Sequence, residues 1–276
     1  MTIASDFDIP DVDIQLTEYV RDEKINEAKT SILSFLVQNS GSVFYERQLA
    51  IIFEVQYFHW ITVKALFELV REGSICSEIL ELAPKVPIRF FRMKANRYWK
   101  RQASQTIKLV QRFSTPSFAR AIGFQGEILV DAALPLAGFN PIARNVRSFK
   151  ERVWERTGHD LDRIVERQGV HYGVEIKNTL PYIPREEFQT KLEMCSFLQL
   201  RPLFVSRMAP KSYSYEIIMS GGISWILGTQ FYPFGHQELA DTVREQLRLP
   251  IACRARIEDG AVIRLQKAIK WSSRKG

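Results

Sequence analysis

The chain has 276 residues, of which 46% are hydrophobic and 25% charged, the composition of a globular protein with a substantial core. Its 38 Lys and Arg against 31 Asp and Glu give a net charge of +7, which excludes an acidic disordered chain and favours an anionic partner. No run approaches the roughly 18 apolar residues that span a bilayer, and the acidic start lacks the apolar core of a signal peptide. The three cysteines lie far apart, so we expect a reduced, cytoplasmic protein that contacts no membrane.

The charge is distributed unevenly along the chain. Residues 1–25 carry a net charge of −5, so the remainder carries +12. Between Lys85 and Arg120 there is no acidic residue, and aromatic side chains are interleaved with ten Lys and Arg. Because cations displace counterions from phosphates and rings stack on bases, this pattern predicts a nucleic-acid partner. A solvated basic helix with its aromatics packed inward is the alternative interpretation.

After an acidic segment at 1–21, helical spacing of apolar residues predicts three helices, at Asp22–Gln38, 46–53 and 58–71. Residues 75–92 contain two β-prone runs separated by a Pro-Lys-Val-Pro turn. Three helices followed by a hairpin resemble a winged helix, a small α+β domain, over residues 22–92. The third helix starts with aromatic residues rather than Arg or Asn, which leaves protein contact as an alternative to reading the major groove.

A basic connecting helix is predicted within residues 93–116, and the Ser-Thr-Pro-Ser sequence at 114–117 is typical of a domain boundary. We expect the phosphate contacts to come from this helix, its approach, the third predicted helix and a later helix predicted at 185–200. The candidate residues are Lys64, Arg92, Lys94, Arg97, Lys100, Arg101 and Lys191.

The second half of the chain alternates helix and strand, which predicts an α/β fold around a mixed sheet. The predicted elements are a helix at 118–136, strands at 162–166 and 171–177, a helix at 185–200, and strands at 202–206 and 222–227. A C-terminal extension at 236–276 follows, to which we assign no function. Its predicted elements are a helix at 237–247 and β-prone runs at 251–257 and 261–265.

Acidic side chains in the two central strands indicate a metal site. Side chains alternate along a strand, so Glu175 and Lys177 point to one face. If the two strands pair as a hairpin through residues 167–170, Asp162 shares that face. Adjacent carboxylates repel each other unless a cation lies between them, and oxygen ligands suit Mg²⁺, with Mn²⁺ as a substitute. Lys177 would then activate a nucleophilic water or stabilise charge that develops on the phosphate.

These residues resemble the motifs of the PD-(D/E)xK, or restriction-endonuclease-like, nuclease superfamily over residues 117–230. The motifs are Gly126-Glu127, Gly158-His159-Asp160-Leu161-Asp162 and Val174-Glu175-Ile176-Lys177-Asn178. The resemblance implies a mixed-sheet core flanked by helices, at 117–235, and Mg²⁺-dependent hydrolysis of phosphodiester bonds.

The resemblance also implies a role for each motif residue. By position, Asp162 and Glu175 match the metal-binding carboxylates, and Lys177 matches the catalytic lysine. Glu127 matches a helix-borne glutamate that joins the metal site in some branches of the superfamily. The first strand motif reads Asp-Leu-Asp rather than Pro-Asp, which makes Asp160 an alternative metal ligand. We favour Asp162.

The sequence therefore predicts a metal-dependent DNA nuclease of restriction, repair or recombination, acting on double-stranded or branched DNA. We expect a homodimer, since two sites related by symmetry cut both strands of a duplex most simply. The alternatives are a non-catalytic DNA-binding or scaffolding protein and an RNA-processing nuclease.

Overall fold

The computed structural model describes residues 18–272, with side chains from 22 to 270, and divides them into two compact units. The first unit comprises residues 18–115 and 245–249, and the second comprises 116–244 and 250–272. The acidic segment predicted at 1–21 lies outside the residues whose side chains are described. No helix in the described ranges is long and apolar enough to cross a membrane.

The first unit combines helices with one small antiparallel sheet. Its elements are α1 (Glu18–Gln38), β1 (Val43–Tyr45), α2 (Glu46–Ile52), α3 (His59–Arg71), β2 (Cys76–Ala83), β3 (Val86–Arg92) and α4 (Trp99–Phe113). The strand order is β1-β3-β2. Apolar residues three or four positions apart give α1 one apolar face, which packs against α3 and against Phe91 of β3. The three helices and the hairpin predicted from the sequence are present.

Helix α4 packs against the sheet of this unit rather than standing apart from it. Its apolar face buries Ala103, Leu109 and Val110. The opposite face is exposed and basic, and it carries Lys100, Arg101, Lys108 and Arg112. This separation of an apolar face from a charged one accounts for the helix, because burial of one face stabilises it while the cations stay hydrated.

The second unit is α/β, with helices on both faces of a mixed five-stranded sheet. Its first elements are α5 (Pro116–Ala133), β4 (Asn140–Val146), β5 (Ser148–Phe149), β6 (Arg152–Val153), β7 (Leu161–Arg167), β8 (Val170–Lys177) and α6 (Arg185–Phe197). They are followed by β9 (Arg201–Ser206), α7 (Lys211–Met219), β10 (Ile223–Ile226), β11 (Gln230–Tyr232), α8 (Gln237–Leu247), β12 (Ile251–Cys253) and α9 (Asp259–Ser272). The sheet order is β10-β9-β8-β7-β4.

Two kinds of strand pairing meet in this sheet. β4, β7 and β8 pair antiparallel, whereas β8, β9 and β10 run parallel and are connected through α6 and α7. Helices α5 and α9 cover one face, and α6 covers the other. The strands of the parallel half are buried on both faces, which accounts for the apolar run Pro202–Val205 in β9.

The central hairpin joins β7 to β8 through a two-residue turn, as predicted. Gln168 and Gly169 both have positive φ, at 54° and 77°. Two consecutive residues in this conformation are typical of the tight turn whose twist matches that of the flanking strands. The turn sets the register that pairs Arg167 with Val170 and, four pairs later, Arg163 with Val174.

One predicted element near the C-terminus is wrong. The run at 261–265 is not a strand but lies in helix α9. Ala261, Val262, Leu265 and Ile269 recur at helical spacing and are buried against the main core. A short β-branched run looks like a strand when it is read alone, and only the longer period separates the two structures.

Candidate functional site

Asp162 and Glu175 lie opposite each other on the central hairpin. The paired residues of the hairpin end at Arg163 and Val174, so Asp162 and Glu175 are the next residue on each strand, and the charge of Glu175 acts on Asp162. Oδ2 of Asp162 accepts a hydrogen bond of 2.6 Å from the backbone N–H of Ile176. Residues that face each other across an antiparallel pair have neighbouring side chains, so two carboxylates share one small volume.

Glu175 is buried, and two lysine ammonium groups surround its carboxylate. Oε1 lies 2.9 Å from Nζ of Lys177, and Oε2 lies 2.6 Å from Nζ of Lys191. An ionised carboxylate has about four acceptor sites, so these two ion pairs leave acceptor capacity that suits a bound cation.

Lys177 bridges Glu175 and a third carboxylate. Its Nζ lies 2.7 Å from Oε1 of Glu187, which belongs to α6. Burial lowers the pKa of Lys177, but the two neighbouring carboxylates outweigh burial and hold its pKa above the ordinary lysine value. The side chain of Lys177 is therefore a permanent ammonium group at neutral pH.

The same surroundings favour the charged form of Lys177 but the neutral form of Asp162. Burial, and then the charge of Glu175, raises the pKa of Asp162 to about 7, because both disfavour its ionised form. The Ile176 N–H and the two lysines oppose this shift without cancelling it. Three carboxyl groups, those of Asp162, Glu175 and Glu187, thus lie near two lysine ammonium groups. This excess of acidic side chains suits a divalent cation.

The two alternative aspartates occupy different positions. Asp162 lies within β7 and reaches the hairpin face, whereas Asp160 precedes the strand. The backbone carbonyl of Asp160 accepts a hydrogen bond from the ammonium of Lys191. This geometry favours Asp162 over Asp160 as the carboxylate that accompanies Glu175.

Lys191 is buried within the carboxylate cluster, with 5% of its side chain exposed. The sequence predicted Lys191 as a phosphate contact, with an exposed helix face as the alternative interpretation. Its ammonium instead faces Glu175, so in this arrangement it acts as an internal counter-ion. Buried charges are stable only when they are paired, and the Lys191–Glu175 pair meets that requirement.

Glu127 lies on the other face of the sheet, on α5. Its Oε2 accepts a hydrogen bond of 2.7 Å from Nη2 of Arg163, and Arg163 also pairs with Asp131. Arg163 is adjacent to Asp162 in β7, so their side chains point to opposite faces. Glu127, Asp131 and Arg163 line a cavity of about 290 Å³. A role for Glu127 in metal binding stays a prediction, because its described contacts are with Arg163.

The predicted nucleic-acid contacts in the first unit differ in exposure. Lys94, Arg97, Lys100 and Arg101 are exposed, and Lys64 is half-buried on α3. Arg92 is more constrained, because it pairs with Glu78 at 2.9 Å and its guanidinium lies 5.0 Å from the ring centroid of Trp99. Four of these side chains are thus free to reach a phosphate, and Arg92 is held in place by its neighbours.

Sequence reasoning missed Glu187 and the buried role of Lys191. These residues are four positions apart in α6, so helical periodicity alone puts them on one face. Phe188 and Cys195, on the same face, are buried and indicate that it turns toward the sheet. That pattern was available in the sequence, but the alignment of this face with Glu175 depends on tertiary packing.

Within residues 18–272 no group of three or more His, Cys, Asp or Glu side chains is arranged to hold a metal ion. Mg²⁺ commonly uses one or two carboxylates together with water and substrate phosphates, and Asp162 and Glu175 fit that ligand set. No protein-family model matches the chain, and no curated protein or solved structure matches it significantly.

Proposed function

We propose that this chain is a Mg²⁺-dependent DNA nuclease that hydrolyses phosphodiester bonds. One observation carries the proposal: Asp162 and Glu175 face each other on one hairpin, with the ammonium of Lys177 2.9 Å from Glu175. A pair of carboxylates beside a fixed ammonium is suited to a reaction in which negative charge increases on a phosphate.

The topology supports the finer fold assignment within the α/β class. The restriction-endonuclease-like resemblance requires a mixed sheet with flanking helices and with its motif residues on paired strands. In the second unit, a helix precedes β4, the antiparallel strands β4, β7 and β8 follow, and α6 leads to the parallel strand β9. Similarly, the order of α1, β1, α2, α3 and the β2–β3 hairpin supports a winged-helix-like first unit.

Asp162 and Glu175 are the residues that would hold the cation. When bound, Mg²⁺ or Mn²⁺ polarises phosphate oxygens and lowers the pKa of a coordinated water. The remaining acceptor capacity of the Glu175 carboxylate and the raised pKa of Asp162 support a site that a divalent cation completes. Ionisation of Asp162 would accompany binding, and its proton would leave to solvent.

Lys177 acts as a positioned ammonium rather than as a general base. A base must release its proton near neutral pH, and Glu175 and Glu187 hold the pKa of Lys177 above its ordinary value, although burial opposes them. An ammonium group stabilises the charge that accumulates on phosphate oxygens during in-line attack, and it orients the water by hydrogen bonding. Glu187 keeps Lys177 charged and directed toward Glu175, so we assign it a positioning role.

The first unit supplies the DNA-binding surface in this proposal. The exposed face of α4 presents four cations in a row, and Arg97 and Lys94 extend the charge beyond its N-terminus. A surface of this kind displaces counterions from the DNA backbone without reading its sequence. The expected homodimer stays a prediction, to be checked by sedimentation equilibrium of the purified protein.

The proposal is tested by incubating purified protein with supercoiled plasmid in Mg²⁺, Mn²⁺ or EDTA. We expect nicking or linearisation with either cation and none in EDTA. Lys177→Ala is expected to lower the rate by about 10²- to 10³-fold, the usual loss when one group that stabilises the transition state is removed.

The matched control for that experiment is Lys211→Ala, which removes an exposed ammonium at the start of α7. It should leave the cleavage rate within about twofold of the native rate, since it lies outside the carboxylate cluster. Binding without metal-dependent cutting would refute the nuclease and favour the scaffolding alternative. Equal loss of activity in both variants would refute the specific role of Lys177.

The pH dependence of cleavage follows from Asp162. Because burial and Glu175 raise the pKa of Asp162 to about 7, most molecules carry a neutral, weakly ligating Asp162 below that pH. At subsaturating Mg²⁺ we expect the single-turnover rate to rise about tenfold per pH unit up to about 7 and then level off. Raising Mg²⁺ should shift the midpoint to lower pH, since cation and proton compete. A rate independent of pH between 5.5 and 8 at low Mg²⁺ would contradict the assignment.

A further inference from the structure

We infer that residues 147–159, here called the arm, bind the phosphate backbone of double-stranded DNA beside the carboxylate pair, with Arg156 as the main contact. This inference rests on the proposed function and extends it to the path of the substrate. The arm contains the β5–β6 hairpin and leads directly into Asp160 and β7. None of its cations was among the phosphate contacts predicted from the sequence.

The arm is anchored on the same face of the sheet as Asp162 and Glu175. Its Trp154 is buried among Leu161 and Ile164 of β7, Met194 of α6, and Leu198, which follows that helix. The indole N–H donates a hydrogen bond of 3.0 Å to Oγ1 of Thr157, and the Trp154 backbone N–H donates to the carbonyl of Arg147. These contacts give the arm a defined conformation, so its charged side chains project from a rigid support.

Four exposed cations lie on this support, and the described residues offer none of them an ion pair. They are Arg147, Lys150, Arg152 and Arg156. Arg147 donates to the carbonyl of Thr157 at 2.7 Å, and Arg152 donates to that of Phe197 at 2.7 Å. These two contacts satisfy hydrogen-bond donors but do not neutralise the charge. Glu151 and Glu155 also belong to the arm, yet neither pairs with a cation of the arm.

Arg156 is held without using any of its hydrogen-bond donors. Its guanidinium carbon lies 5.4 Å from the ring centroid of Trp154 and 5.7 Å from that of Phe197. Cation–π contacts fix the plane of a guanidinium while leaving its N–H groups free at the edge. A guanidinium fixed in this way binds phosphate in a bidentate manner with little loss of side-chain entropy. Lys150 is placed similarly, with Nζ 5.5 Å from the ring centroid of Phe149.

Helix α6 provides a measure of the separation between the arm and the carboxylates. Lys191 contacts Glu175. Phe197, whose ring contacts the guanidinium of Arg156, follows six residues later on the same helix. At 1.5 Å per residue the two positions are about 9 Å apart along the helix axis. Nucleotides in B-DNA rise about 3.4 Å along each strand, so this distance corresponds to about three nucleotides. The arm would therefore bind the backbone a few phosphates from the bond that is cut.

The test measures the affinity of the full chain for a 30-base-pair DNA duplex in EDTA, by fluorescence anisotropy over a range of salt concentrations. The test variant combines Lys150→Gln and Arg156→Gln, which keep part of each side chain and leave the carbonyl contacts of Arg147 and Arg152 intact. The control combines Lys211→Gln and Arg256→Gln, two exposed cations elsewhere in the same unit. Both variants remove two positive charges.

The test variant is expected to bind about tenfold more weakly at 0.1 M salt, with the slope of log K against log salt reduced by about 2. The control should stay within about twofold of the native chain. A test variant no weaker than the control, or a native chain without salt-dependent duplex binding, overturns the inference. The inference is also overturned if the test variant binds an RNA duplex of the same sequence more weakly than the native chain does but binds the DNA duplex equally well.

Cleavage of plasmid in Mg²⁺ by the native chain separates this inference from the proposed function. If the test variant binds DNA more weakly and the native chain does not cleave plasmid, the result supports the role of the arm and refutes the nuclease. Metal-dependent cleavage with unchanged binding by the test variant would support the nuclease and refute the arm.

Discussion

The Asp162→Asn variant is expected to lose cleavage activity while gaining stability. Without the carboxylate, the site keeps one acidic ligand, so cleavage should fall by about 10³-fold. Asn retains an oxygen that accepts the Ile176 N–H, so the hydrogen bond of 2.6 Å in the native chain has a replacement. The variant therefore removes a charge without removing the contact that orients the side chain.

The gain in stability follows from the direction of the pKa shift. In the unfolded chain Asp162 ionises near its ordinary pKa of 3.8, whereas burial and Glu175 raise its pKa to about 7 in the folded state. Between these values the folded state binds more protons, so the free energy of unfolding falls as pH rises and levels off above about 7. Asn has no such dependence. At pH 8 in EDTA the variant should be more stable by about 4 kcal/mol, since one pKa unit corresponds to about 1.4 kcal/mol.

The measurement is urea denaturation of both proteins at pH 5 and pH 8, in EDTA and in Mg²⁺. The stability advantage of the variant should be small at pH 5, largest at pH 8 in EDTA, and reduced by Mg²⁺, which stabilises only the native site. Asp160→Asn is the control, an identical change two residues earlier. It should retain most of the activity, and if it abolishes cleavage while Asp162→Asn does not, the two assignments are reversed.

Gly126→Ala is expected to destabilise the second unit by about 3 kcal/mol, because the added methyl group overpacks a closed contact. A Cβ at this position would stand 2.4 Å from Cβ of Asn178. Asn178 cannot yield easily, since its amide donates to the carbonyls of Ile122 and Phe231, and its Oδ1 accepts from the Phe231 N–H. Either α5 moves away from β8 or this hydrogen-bond network breaks.

Gly123→Ala, in the same helix, provides the matched control. A Cβ there meets nothing within 4 Å, and alanine favours a helix over glycine, so stability should rise by about 0.5 to 1 kcal/mol. Thermal unfolding of the two variants is expected to shift in opposite directions. Equal melting temperatures would mean that α5 does not approach Asn178 as closely as described. Because Asn178 follows Lys177, we also expect Gly126→Ala to reduce cleavage at temperatures where it stays folded.

Local patterns in the sequence were sufficient for the hairpin that carries the candidate site. Alternation in β8 puts Glu175 and Lys177 on one face, and the Gln168–Gly169 turn sets the register that brings Asp162 to the same face. Both rules act over a few residues, because backbone geometry alone determines them. The helices of the first unit were predictable for the same reason, since their apolar spacing is a local property.

Contacts between distant segments were decided by tertiary packing. Glu127 follows Gly126 in a motif that resembles part of a metal site, yet α5 packs on the face of Arg163, opposite Glu175. Lys191 was predicted as a phosphate contact from its position on the helix alone, and α6 turns it inward against Glu175. The direction in which a helix turns its polar residues depends on which sheet face it covers, and that choice is made by the whole apolar core.

The sequence by itself determined the residue types of the candidate site, their order and the hairpin that holds two carboxylates and a lysine together. Only the tertiary structure decided that Glu187 and Lys191 complete the charge cluster, that Glu127 pairs with Arg163, and that the arm, with its unpaired cations, packs against the C-terminal end of α6. The physical reason is the distance along the chain over which each interaction acts. Hydrogen bonding and side-chain alternation in a hairpin are specified within a few residues, whereas burial and charge pairing depend on segments that meet only when the core closes.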